Sequence, residues 1–324
     1  MNAQELNLAI NEFVKENLSP LEKERNLIEN RYDDLKKTLS GHTFRSGSYA
    51  RYTAIHPVHD LDVINEYTEL QFEDIPKLMR ELAVMLVEHY GDNATVTEQS
   101  HSVAAVFPDE FSIDIVPGLR LDGESNEFGE PLYLVPDIQK MSHSARAAKY
   151  EARDQIDSKK SDPRGYRKQA QDLNEANPDF RHSVKLVKGW RHGCRKRLDN
   201  KFKLKAFHAE LIVTQYFTGN PKATSQDAIQ SFFENLPSFL TKAQIPDRAS
   251  VDVMVDEYVN DLTAQDKEVL NSEIKIAATK IVGLESLNSN EDVHQSLSEV
   301  CGLDQKKSTG GPTGYVRPTG AWAE

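Results

Sequence analysis

The hydrophobic texture of the chain changes near residue 180, and that change narrows the folds open to it. Before it, apolar residues come in strand-length runs: "LDVINEY" (61–67), "ATVTEQ" (94–99), "HSVAAVF" (101–107), "FSIDIVP" (111–117) and "PLYLVPD" (131–137). After it they recur at helical spacing over 181–197, 204–217, 224–240 and roughly 251–285. One helical pattern, 75–89, sits among the strands. Strands followed by helices predict an α+β protein: a mixed sheet with a helix packed on it, then a helical lobe.

The first forty residues read as a long N-terminal helix that bridges the lobes. Leu6, Ile10, Phe13, Val14 and Leu18 share one face, Pro20 interrupts, and Leu27, Ile28, Tyr32 and Leu35 resume the spacing. The expected division is therefore 1–40 for this helix, 41–180 for the sheet-bearing core, 181–305 for the helical lobe and 306–324 for a tail. That tail, "STGGPTGYVRPTGAWAE" and the residues just before it, is rich in Gly, Pro and Thr and lacks an apolar period.

Charge and cysteine content exclude several classes of function. Acidic side chains outnumber Lys and Arg by 51 to 39, a net charge of -12, which argues against a chain coated in nucleic acid by bulk charge. The two cysteines, Cys194 and Cys301, form neither a zinc-finger pattern nor a disulfide framework. No apolar run approaches the roughly 18 residues of a membrane span, and the N-terminus lacks a secretion signal. A cytoplasmic protein with no membrane partner is expected.

The chemistry concentrates in "GSYARYTAIHPVHDLDV" (47–63) and "FSIDIVP". Residues at i and i+2 of a strand share a face, so Asp60 and Asp62 project together while Leu61 and Val63 enter the core. In the second segment Ser112, Asp114 and Val116 oppose Phe111, Ile113 and Ile115. If the two strands are neighbours, Asp114 becomes the third carboxylate of one cluster. Such a cluster repels itself unless cations sit within it, and oxygen donors suit Mg²⁺ or Mn²⁺. Two such ions about 3.5–4 Å apart serve in-line phosphoryl displacement. Gly47 lets backbone amides approach a triphosphate, and Ser48 adds a donor. No Walker-type phosphate loop is present.

These segments together resemble the Gly-Ser, Asp-x-Asp and late-Asp pattern of the DNA-polymerase-β-like nucleotidyltransferases. The narrower likeness is to the CD-NTases, bacterial relatives of animal cyclic-GMP-AMP synthase. "HSVKLVKGWRHGCRKRLDNKFKLKAFHAELIV" (182–213) resembles that family's helix ending in Lys-x-Trp and its following "LKSFHLE"-like helix. The resemblance covers roughly residues 40–215. It implies a polymerase-β-like core in which Asp60, Asp62 and Asp114 are catalytic and hold two Mg²⁺ or Mn²⁺ ions. It further implies that Gly47 and Ser48 bind the nucleotide, that Lys188 reaches its triphosphate, and that Lys185 is a second cation one turn earlier. Ala206 departs from the family pattern, which commonly has Ser there.

By this likeness the chain is an enzyme joining nucleoside triphosphates, ATP among them, into a cyclic di- or trinucleotide with release of pyrophosphate. The product would activate a separate effector protein in CBASS-type anti-phage signalling, and the C-terminal tail is a candidate for conjugation to a partner. Two alternatives remain at the level of sequence. One is a template-independent nucleotidyltransferase acting on RNA, a protein or a small molecule; the other is a non-catalytic nucleotide-binding relative.

Other features have plainer readings. His56 and His59 flank Pro57 in a loop and lack partners for a zinc set, so they are read as surface or substrate-facing. The basic run from Lys188 to Lys205 could attract triphosphates through its first residues or bind a nucleic-acid activator; its remainder reads as a solvated face. Trp190, Phe207, Leu211 and Tyr216 read as core.

Overall fold

A computed structural model of the chain describes residues 1–137 and 157–303. Two apolar cores organise it, one under a mixed sheet and one within a helical bundle. The N-terminal segment serves both. Helix α1 (Ala3–Asn17) buries Leu6, Ile10, Phe13 and Val14 in the helical core, and α2 (Glu22–Thr38) buries Ile28, Tyr32 and Leu35 in the sheet core. The expected single long helix is thus two helices. Pro20 cannot donate a backbone hydrogen bond, and the Glu24 carboxylate restarts the helix by accepting from the Leu21 N–H at 2.7 Å.

The sheet runs β1 (Thr43–Arg45), β2 (Asp60–Tyr67), β5 (Ser112–Ser125), β4 (Val103–Val106), β3 (Thr95–Glu98). Strand β6 (Pro131–Asp137) pairs with β5, and β7 (Asp157–Ser161) with β6. Among the described residues only β2 and β5 run parallel and every other strand pair is antiparallel, so the sheet is mixed as expected. Strand β2 follows the four-residue turn of helix α3 (Gly47–Ala50). Helices α4 (Glu69–Phe72) and α5 (Ile75–Tyr90) connect β2 to β3. Asp74 caps α5 through the Lys77 N–H, Pro76 occupies its first turn, and Leu78, Met79, Leu82 and Leu86 cover the sheet.

The polar stretch before residue 180, which carries no apolar period, contains β7 and helix α6 (Pro163–Ala176). Helix α6 is capped by Asp162 and buries Ala170 against the helical core, which gives a polar sequence its place. The bundle continues with α7 (Asp179–Leu198), α8 (Ala206–Gly219), α9 (Ser225–Phe239), α10 (Ala264–Gly283) and α11 (Asn290–Cys301). Trp190 lies edge-on to Phe202, Phe232 and Phe233, a core residue as expected.

The expected helix over 251–285 begins only at Ala264. Upstream, Val251 and Val253 face solvent, and the chain forms a bridge between Pro246 and Met254. The fully buried Asp256 carboxylate holds that loop by accepting from the Gln244 and Ile245 N–H groups. Helix α11 was not anticipated from the sequence. Residues 306–324, read as a tail and a candidate conjugation site, lie outside the described residues.

Candidate active site

Parallel pairing of β2 with β5 sets Asp62 directly beside Asp114, and Asp60 beside Ser112. Leu61, Val63, Ile113 and Ile115 point into the core, so the three aspartates share the opposite face as the alternation predicted. Asp60 is exposed; Asp62 and Asp114 are half-buried. Burial, followed by the neighbouring Asp60 charge, pushes the Asp62 carboxyl up to about 6. Burial and the charges of Asp62 and Asp60 do the same to Asp114, also to about 6. Asp114 Oδ1 is buried with no hydrogen-bond partner.

Such groups fit a hard divalent cation: their donors are all oxygens, they crowd one another in the absence of a counter-charge, and one oxygen is orphaned. Among the described residues no three His, Cys, Asp or Glu groups form a ready-made metal cage. An open set of this kind suits Mg²⁺, which is commonly held by one or two carboxylates together with substrate phosphates and water.

The Gly-Ser turn lies against this cluster. The Ser46 N–H donates to the Asp62 carbonyl at 2.8 Å, tying the turn to β2. Gly47 has φ +63°, and a Cβ there would stand 1.6 Å from Asp62 Oδ2 and 2.9 Å from Asp62 Cβ. Both the backbone conformation and the packing therefore demand glycine. Gly47, Ser48, Asp60 and Asp62 line one end of a cavity of about 1570 Å³ between the sheet and the bundle. Phe207 and Tyr258 contribute to its wall from the bundle side. Phe207, read from sequence as core, is half-buried there, edge-on to Tyr166 and beneath the Arg51 guanidinium at 4.8 Å.

The two lysines part company. Lys188 lines the cavity, but its Nζ donates to the Thr53 carbonyl and Thr53 Oγ1, both at 3.1 Å, and to Glu210 Oε2 at 2.5 Å. Lys185 is not among the lining residues; its Nζ donates to Ser19 Oγ at 3.0 Å, and burial with nearby Arg181 and Arg25 pulls it down to about 8. Lys185 thus stands off the cavity wall, hydrogen-bonded to Ser19 at the α1–α2 connection.

Sequence reasoning missed Arg51, Thr53 and Glu210, which join Lys188 in a buried cluster. The available signal was an acid within the otherwise apolar "AFHAELIV" run of α8. His56 pairs with Glu24 at 2.9 Å, and the His59 ring stacks on His192 with centroids 6.1 Å apart; among the described residues neither joins a metal set. Farther along the basic run, Arg191 donates to the Leu204 carbonyl and Arg197 pairs with Glu273.

Comparison with known proteins follows the same outline. The family model of the Second Messenger Oligonucleotide or Dinucleotide Synthetase domain matches residues 5–174, just over half of the chain. Among solved structures, CdnC of E. coli MS115-1, determined with ATP, is 18% identical with a TM-score of 0.65, over 91% of this chain and 97% of that one. CdnG of Bradyrhizobium diazoefficiens, a CD-NTase determined with GTP, is 12% identical with a TM-score of 0.62, over 91% and 96%. The cyclic AMP-GMP synthase DncV of Vibrio cholerae, in complex with a linear intermediate, is 12% identical with a TM-score of 0.57, over 81% and 68%. At these identities the structures establish a shared fold. A comparison of the sequence with curated proteins finds no match.

Proposed function

The chain belongs to the Second Messenger Oligonucleotide or Dinucleotide Synthetase family and is a nucleotidyltransferase; from that premise we propose that it makes a cyclic di- or trinucleotide containing adenine. Nucleoside triphosphates, ATP among them, are the substrates and pyrophosphate is released. The product acts in the cytoplasm on a separate effector protein in CBASS-type signalling. Among the described residues no helix is long and apolar enough to cross a membrane.

The observation that carries this reading is the pairing of Asp62 with Asp114 across parallel strands, beside a glycine turn that no larger residue could occupy. Asp60, Asp62 and Asp114 would hold two Mg²⁺ or Mn²⁺ ions, which when bound offset their repulsion and stabilise charge on the phosphates. Backbone amides at Gly47 and the Ser48 hydroxyl seat the donor triphosphate. The charge of Lys188 acts on it from the cavity wall rather than through a free donor, since all three Nζ hydrogens are engaged. The partnerless Asp114 Oδ1 is suited to take the proton from the attacking ribose hydroxyl. A cavity of about 1570 Å³ exceeds the roughly 300–1,000 Å³ of a drug-sized ligand site, leaving room for donor and acceptor together. Most of the rate gain then comes from positioning and charge stabilisation.

The test is incubation with all four triphosphates and Mg²⁺, followed by phosphatase. A phosphatase-resistant nucleotide product that disappears in the Asp60→Asn, Asp62→Asn variant supports the reading. No product with any triphosphate, in Mg²⁺ or Mn²⁺, contradicts it.

A further inference from the structure

One buried carboxylate reaches three segments that the proposed donor site depends on. Glu210, on α8, has a side chain only 2% exposed, and both of its oxygens are occupied. Oε1 accepts from Arg51 Nε at 2.6 Å and Thr53 Oγ1 at 3.0 Å. Oε2 accepts from Lys188 Nζ at 2.5 Å and Arg51 Nη2 at 3.2 Å. Arg51 caps the short helix that begins at Gly47, Thr53 follows it in the loop, and Lys188 belongs to α7 of the bundle.

Thr53 carries the contact onward. Its N–H donates to the Ser48 carbonyl at 3.0 Å, and its hydroxyl stands 3.4 Å from the same oxygen. The path from Glu210 to the Gly47–Ser48 turn is therefore two hydrogen-bonded steps through a residue that is fully buried. Two cations meet one carboxylate, so the cluster retains a single positive charge beside the turn. Burial alone would disfavour the Glu210 anion, but Arg51 and Lys188 overcome it and hold the carboxyl at about 2, so Glu210 stays ionised across the physiological range.

We infer that Glu210 is a positioning residue for the donor triphosphate: from the helical lobe it fixes the Gly47–Ser48 turn through Thr53 and Arg51 and locks Lys188 as a charged wall. It touches neither the three aspartates nor the reacting atoms by this assignment. Its loss should therefore weaken triphosphate binding while leaving the chemical step nearly intact once nucleotide saturates. The inference rests on the donor site proposed above and adds the part of the fold that sets its geometry.

The experiment compares wild type with Glu210→Gln and Thr53→Val. Glu210→Gln keeps the shape and removes the charge that balances Arg51 and Lys188. Thr53→Val keeps shape and charge and removes the hydroxyl with its contacts to Glu210, Lys188 and Ser48, leaving the backbone link, so it serves even if Glu210→Gln fails to fold. Affinity for a non-hydrolysable adenosine triphosphate analogue is measured directly, with melting temperature, KM and kcat alongside. Hydrogen bonds to charged groups predict about a tenfold or larger loss of affinity in each variant, mirrored in KM, with kcat within about threefold of wild type. Variants that bind the analogue as wild type does, or that lose kcat with KM unchanged, overturn the inference. A wild type that binds no triphosphate analogue overturns the donor site itself, which is a separate outcome.

Discussion

Asp62 and Asp114 are register partners on adjacent parallel strands, so the backbone hydrogen bonds of the sheet set their carboxylates side by side. Burial and then the Asp62 charge raise the proton affinity of Asp114, burial and then Asp60 raise that of Asp62, and the orphaned Asp114 Oδ1 is the clearest sign of a site built for charge that the protein alone does not supply.

The crowding has a stability consequence. With folded-state values of about 6 against an ordinary carboxylate value of about 3.9, the folded protein holds more protons than the unfolded chain between those limits. Metal-free protein should therefore lose stability as pH rises from about 4 to 6, by on the order of 2 kcal/mol after solvent screening, and stay at that level above. Asp114→Asn should melt higher than wild type at pH 7.5 without divalent ions, while its activity is lost. Thermal melts of the two proteins across that pH range check the sign.

Divalent ions should reverse the penalty. Mg²⁺ or Mn²⁺ binds only the ionised carboxylates, so its stabilising effect should be large at pH 7.5 and small at pH 5. Turnover at saturating nucleotide and metal should rise through a pH near or below 6, since the bound cations lower the carboxyl values. A melting shift independent of pH would count against the aspartates as the binding groups.

Gly47→Ala should abolish turnover while the protein still folds. The added Cβ would overlap the Asp62 carboxylate and strain a left-handed backbone by about 1–2 kcal/mol, against the 5–15 kcal/mol typical of whole-protein stability. Circular dichroism and a turnover assay on the same preparation separate the two effects.

A clasp on the far side of the cavity makes a structural prediction. Arg248 Nε donates to the fully buried Asp162 at 3.1 Å, Nη2 donates to Glu127 at 2.6 Å, and the guanidinium lies over Phe128. Arg248→Met leaves the Asp162 carboxylate short of a charged partner and should cost about 3 kcal/mol, a fall readable in urea denaturation.

Much of this site was legible in the sequence because a strand has a period of two. Once "DLDV" and "FSIDIV" are strands, the side on which each aspartate falls is fixed, and only their adjacency required the fold. The Gly-Ser turn was legible for a similar reason, a residue without a side chain beside a clustered charge. The partners of Lys185 and Lys188 were not legible, because a helix constrains where a side chain starts but not which partner captures its end. Ser19 and Glu210, distant in sequence, made those captures. Helix α6 escaped notice since its packing rests on Ala170 and partly buried Tyr166 and Leu173, too few apolar residues to give a period. The loop at 251–263 looked helical until Asp256 claimed the backbone donors of Gln244 and Ile245.

The measurement that tests the central claim most directly is the ratio of pyrophosphate released to nucleotide incorporated, taken with the product's mass. Closing a ring releases one pyrophosphate for every nucleotide joined, and the product retains no terminal phosphate. The account predicts that 1:1 ratio, a mass equal to the summed nucleoside monophosphates less one water per linkage, and loss of both in Asp60→Asn, Asp62→Asn. A product that keeps a 5′ triphosphate and falls short of one pyrophosphate per nucleotide would identify a linear polymer and contradict the cyclase assignment.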